Sequence, residues 1–248
     1  MSAERNGRRT RSACLIASAA WLIASAATIV VGALVRAAAA RFILLLLVLG
    51  AASAVPVSAQ SPQAILDRAV ADFENGRFAE SAAVFDSLVK VVPDQAPYLW
   101  QRGIALYYAG RYNDCRRQFE SHRAVNPDDV ENAAWHFLCV ARGESPAKAR
   151  AALLPVGPDA RAPMREIYQM FRGTLVPEQV LSATGSRPDA QFYGHLYVGL
   201  YFDALGMKER ALELITIAAA DRFERYGGYM HMVARVHLRA LTSRQPIP

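Results

Sequence analysis

Cysteine is scarce in this chain, three in 248 residues, too few to staple a loop-rich scaffold with disulfides. Charged residues make up only 20% and apolar residues 53%, which excludes an intrinsically disordered polymer. Catalytic signatures are missing too. The histidines, His122, His136, His195, His231 and His237, form neither HExxH nor HxxxH, and no CxxC occurs. His231 and His237, six apart, do not share a helical face. There is no GxSxG and no phosphate-cradling glycine loop; Gly227-Gly228 reads as a helix-capping turn. No metal, no cofactor and no enzymatic activity are therefore expected.

The formal charge is +6, which raises the question of a nucleic-acid partner. Its distribution answers against one. Residues 1–59 hold Arg5, Arg8, Arg9, Arg11, Arg36 and Arg41 against Glu4 alone, whereas the remaining residues hold 22 basic and 21 acidic side chains. The basic run Arg116-Arg117 with Arg123 is expected on an outward, solvated helix face. A nearly neutral body should recognise partners through apolar and aromatic contacts, with weak salt dependence.

Long apolar runs are confined to the N-terminus. Residues 12–35 read SACLIASAAWLIASAATIVVGALV and residues 42–57 read FILLLLVLGAASAVPV, with Arg36 and Arg41 between. The second run has the parts of a secretory signal: positive residues, an apolar core, then small residues before a Val57-Ser58-Ala59 cleavage site that would leave Gln60 first. Two readings of the tandem stand. Translation starts near Val35, the preferred reading because that piece is a complete signal; or residues 12–35 are an uncleaved inner-membrane anchor, long enough for the roughly 20 apolar residues a bilayer needs. Cys14 precedes the apolar cores, so it does not suit lipid attachment. A periplasmic or otherwise exported address follows, with membrane contact only through this segment.

After residue 59 the chain repeats itself. Gly76 and Gly110, Arg77 and Arg111, Phe78 and Tyr112, Phe85 and Phe119, and Pro93 and Pro127 all stand 34 residues apart. In each unit a helix A closes at the glycine, which can take the left-handed conformation, and a helix B ends at the proline. Ala69 and Gly103 are small enough for A and B to approach closely; a helix-interior glycine costs about 1 kcal/mol, so Gly103 needs such a reason. This pattern resembles the tetratricopeptide repeat and implies an all-α, right-handed superhelical solenoid of helical hairpins. Expected units span 61–94, 95–128 and a shortened 129–154; a proline-interrupted linker with two short helices spans 155–188, a further repeat 189–222. A helix over 228–241 is expected to cap the stack.

The strings RGIALYYAGR at 102–111, NPDDVENAAWHFL at 126–138 and FYGHLYVGLYFDALG at 192–206 resemble the NlpI-type periplasmic tetratricopeptide proteins. That resemblance implies a non-enzymatic adaptor that docks murein-processing enzymes and a tail-recognising protease. Its lipid anchor is not carried over, because the lipid-attachment cysteine is missing.

By repeat phase, the concave face should present Trp100, Gln101, Ile104, Tyr107 and Tyr108 from the second unit, Trp135, Leu138 and Arg142 from the third, and Tyr193, Leu196, Tyr197 and Leu200 from the fourth. Aromatics with a polar tip suit a peptide groove. The carboxylate clamp of some tetratricopeptide domains is not expected, since Leu66, Val70, Glu131 and Trp135 stand where its Lys, Asn and Arg would be. Cys115 and Cys139 lie on consecutive helices and could meet as a disulfide in an oxidising compartment; because both fall at packing phases, buried free thiols are the preferred reading. The functional expectation is a scaffold for protein or peptide partners; the alternative is a self-assembling component, such as a homodimer, of an envelope complex.

Overall fold

The computed structural model describes residues 61–243. The expected export segment, its cleavage site and the 12–35 anchor lie outside the described residues, so the following concerns the helical body alone. Among the described residues all regular structure is helical.

Local chemistry accounts for the first helices. Ser61 caps α1 (Pro62–Glu74), its hydroxyl accepting from the Ala64 amide at 3.2 Å, with Pro62 in the first turn where its missing N–H costs nothing. After the turn at Asn75 comes α2 (Phe78–Val91). A 3-10 turn, Pro93–Tyr98, leads into α3 (Trp100–Tyr108) and α4 (Tyr112–Arg123). Asp129 caps α5 (Val130–Gly143), and Ser145 caps the short α6 (Pro146–Ala151). Then follow α7 (Met164–Arg172), α8 (Pro177–Ala183), α9 (Pro188–Ala204) and α10 (Lys208–Ala218), and after a 3-10 turn α11 (Glu224–Gly227) and α12 (Tyr229–Thr242).

Three of the hairpin turns are the same turn. At Gly76, Gly110 and Gly206 φ is 75°, 72° and 76°. Each glycine amide bonds back to the carbonyl of Phe73, Tyr107 or Asp203, and the next amide to that of Asp72, Leu106 or Phe202. This is a Schellman closure, which favours glycine at the left-handed position and satisfies two terminal carbonyls. The helices joined by these turns pack against each other, α1 on α2, α3 on α4 and α9 on α10. At the α3–α4 crossing a Cβ on Gly103 would lie 2.6 Å from the Phe119 ring, which is the packing reason for a glycine inside that helix.

The proline-rich stretch between the repeats is structural filling. Because α6 is short, α7 packs against α5 and α9 instead. Phe171 bridges them, its ring 5.0 Å from Phe137 on α5 and 5.4 Å from Tyr201 on α9.

The last helix departs from expectation. Rather than covering only the end of the stack, α12 packs along α10 and returns to the first two hairpins. Tyr229 stacks on Phe73 of α1 at 6.4 Å and meets Trp100 of α3 edge-on at 4.9 Å; His237 Nδ1 lies 2.9 Å from the Tyr108 hydroxyl; Arg239 donates to the Glu74 carbonyl. The reason is the stripe Met230, Val233, Ala234, Val236 and His237, all buried. Each large apolar member stabilises the fold by roughly 1.5–3 kcal/mol when covered, and α10 with the aromatics of α1 and α3 packs against this helix.

Candidate functional site

That return changes what the expected concave face is. Ile104, Tyr107, Tyr108, Leu138, Leu196, Tyr197 and Leu200 are all buried, so they serve as core and do not line an open groove. Their polar tips are engaged inside. Arg142 donates from Nε to the Tyr107 hydroxyl at 3.3 Å and from Nη2 to Asp203 at 2.5 Å. The Tyr108 hydroxyl is hydrogen-bonded to His237 Nδ1 at 2.9 Å, and His237 Nε2 lies 3.5 Å from Asp203. Tyr197 donates to Glu131 at 2.5 Å. Burial pushes Tyr107 and Tyr108 well above the usual phenol range, and burial pushes His237 down to about 4 although Asp203 opposes it. Gln101 is half-buried and does not line the pocket described next.

Trp100, Trp135 and Tyr193 do converge. They line a pocket of about 510 Å³ together with Tyr98 from the 3-10 turn, His122 of α4, Asn126 and Asp129 of the loop, Glu131 and Asn132 of α5, and Tyr229 and Met230 of α12. That volume lies within the range of small-ligand and peptide side-chain sites. Tyr98, 54% exposed, belongs to its lining.

Polar groups there are incompletely satisfied. Asn132 Oδ1, Trp135 Nε1 and the Tyr229 hydroxyl are buried without a hydrogen-bond partner among the described residues. Buried polar atoms are nearly always paired, and an unpaired one asks for an explanation such as a missing ligand or water. His122 is held by its Nδ1 against the Pro97 carbonyl at 2.8 Å. Arg161 pairs with Asp129 at 2.8 Å, Glu131 at 2.5 Å and Asp159 at 2.7 Å. Burial raises Glu131 despite Arg161, whereas for Asp159 the burial penalty is outweighed by hydrogen bonds from Arg161 and the Val130 amide, and its carboxyl is lowered. Burial, with Glu131 nearby, pushes Tyr193 up to about 12.

Tyr98, Asn132, Tyr229 and Met230 were not among the expected site residues. The signal for Tyr98 and Asn132 was their place beside Trp100 and Trp135 in the chain; for Tyr229 and Met230 no local signal existed, because they arrive from the returning α12.

A second correction concerns the cysteines. Cys115 of α4 and Cys139 of α5 are joined as a disulfide, with Cα atoms 5.9 Å apart, the alternative to the preferred reading of free thiols. The helix-packing phase that buries both also brings them within bonding reach. The arginines of α4 are held by ion pairs, Arg116 with Glu120 and Arg117 with Asp114, while Arg123 donates to the Pro155 carbonyl. Among the described residues there is no group of three or more His, Cys, Asp or Glu able to hold a metal ion, and no helix long and apolar enough to cross a membrane. No family model matches the chain, and no curated protein is significantly similar to it.

Proposed function

We propose that this chain is a non-enzymatic, exported scaffold of the tetratricopeptide type that binds a segment of a partner protein in the aromatic pocket, bringing an envelope protease or murein hydrolase together with its substrate. The observation that carries the reading is the pocket itself: Trp100, Trp135 and three tyrosines around unpaired polar atoms. Large aromatics at the centre of an interface provide most of its binding energy, and unpaired donors and acceptors supply orientation. The repeated hairpin turn supports the tetratricopeptide assignment. Export is supported by the Cys115–Cys139 disulfide, a bond that persists in oxidising compartments.

Affinity purification from the native envelope tests this. Tyr98→Ala combined with Trp100→Ala alters the pocket through a rim residue and a partly exposed one, sparing the buried Trp135. We expect recovery of the specific partner to fall at least about tenfold, as for loss of interface anchors, with the helical circular dichroism unchanged. An unchanged partner set from the folded double variant would sink the reading.

A further inference from the structure

The pocket carries more negative charge than the chain around it neutralises. It adjoins a second hollow of about 300 Å³, with Asn126 and Asp129 common to both linings. Across the two are four carboxylates, Asp128, Asp129, Glu131 and Asp159, and one strongly basic side chain, Arg161. Arg161 is shared among three of them. Asp128 makes no ion pair among the described residues. A single guanidinium therefore answers four acids, of which Asp129 and Glu131 line the aromatic pocket and Asp128 and Asp159 the hollow that adjoins it.

Asn132 supplies an observation independent of charge. It is 4% exposed, it lines the pocket, and its Oδ1 is an acceptor without a donor. The buried Tyr229 hydroxyl is also unpaired. Asn132 Oδ1 calls for a donor from outside the chain, and the Tyr229 hydroxyl can accept a second. Tryptophan and tyrosine faces attract cations through the ring quadrupole. The chain already displays that chemistry, with the Arg161 guanidinium carbon 5.9 Å from the Tyr193 ring centroid.

We propose that the pocket takes a lysine or arginine side chain presented by a partner protein. The cation lies against the aromatic faces and near the surplus carboxylates, and one of its N–H groups donates to Asn132. A neutral or acidic side chain would leave that surplus unanswered, which is why charge complementarity selects a basic one. The inference rests on the pocket being the partner site and adds the chemistry of what enters it. It also reverses the expectation of weak salt dependence, since a contact between surplus carboxylates and a cation is screened by salt.

The tryptophans provide the readout. The chain has three, Trp21, Trp100 and Trp135, and the latter two line the pocket. In the full chain labelled with 15N, their indole N–H signals are assigned by replacing each in turn with phenylalanine. The probes are blocked pentapeptides, acetyl-Gly-Ser-Xaa-Ser-Gly-amide, with Xaa lysine, arginine, norleucine or glutamate. The lysine and arginine peptides should move the Trp100 and Trp135 signals and leave Trp21 still. Norleucine, which keeps the length and loses the charge, should bind about tenfold more weakly, and glutamate more weakly again. Added sodium chloride should weaken the lysine peptide. So should Asp128→Asn and Glu131→Gln, the latter retaining an acceptor for Tyr197, with the free-state indole shifts of each variant reporting that it is folded.

Norleucine binding as tightly as lysine, moving the same two signals, would overturn the cation inference while leaving the pocket standing as a partner site. Silence from every peptide, with the folded indole shifts intact, would overturn both.

Discussion

Tyrosine hydroxyls in this body serve two purposes, decided by whether the hydroxyl finds a partner inside. Tyr107, Tyr108, Tyr197 and Tyr201 each do, with Arg142, His237, Glu131 and Arg150 respectively, and a buried phenol so paired specifies packing. Tyr229 does not, and it lines the pocket. His237 shows what such an internal network costs. It is packed under Tyr108 of α3, Asp203 of α9 and Arg142 of α5. Burial and Arg142 hold its imidazole down to about 4 from an ordinary 6.5, more strongly than Asp203 holds it up. The folded state is then the poorer proton binder, so the contribution is complete above the unfolded value and is lost as pH falls towards the folded one. At about 1.4 kcal/mol for each pKa unit the loss is about 3 kcal/mol. The lowered His136 adds the same sign, and the raised Glu131 opposes it. Thermal unfolding followed from about pH 7 to about pH 4 should show Tm falling, and the fall should be much reduced in His237→Gln. An identical pH profile in the two proteins would contradict this assignment.

At the scale of elements, the Cys115–Cys139 bond ties α4 to α5 across a sequence separation of 24. Closing a loop of that length removes unfolded-chain entropy equivalent to about 3 kcal/mol. Cys115→Ser with Cys139→Ser, or reductant added to the wild type, should lower the guanidinium unfolding midpoint accordingly. Identical midpoints with and without reductant would contradict a disulfide. Helices α1 to α4 were legible in the residues because their determinants are local: a glycine at the turn, an aromatic on helix B, a small residue at the crossing. That the two cysteines could meet was legible from their consecutive helices, but not that they bond, since periodicity places a residue on a buried face without fixing which neighbour it meets. The same limit applied to α12. Its apolar stripe announced a face needing cover, but the Tyr108–His237 contact joins residues 129 apart in sequence, and nothing local encodes it.

At the scale of the described body, the consequence is that a surface expected to be open is largely buried, with the last helix packed against Phe73, Trp100 and Tyr108. An all-helical body could be read from the sequence, and of the twelve expected site residues Trp100, Trp135 and Tyr193 line one pocket. The other nine expected residues went to the core, to the Arg142–Asp203 network or, for Gln101, outside the pocket, because repeat phase reports only that a side chain faces inwards. What covers that side is a tertiary matter. The proposed function places recognition at the pocket lined from α3, α5, α9 and α12. Site-specific photo-crosslinking in the native envelope measures this most directly, with a photoreactive residue placed at Tyr98 on the pocket or, separately, at Leu212, an exposed apolar position on α10 outside it. The expected result is a discrete crosslinked partner from Tyr98, lost when Trp100 is also replaced by alanine, and none from Leu212. Crosslinking of that partner from Leu212 but not from Tyr98 would contradict it.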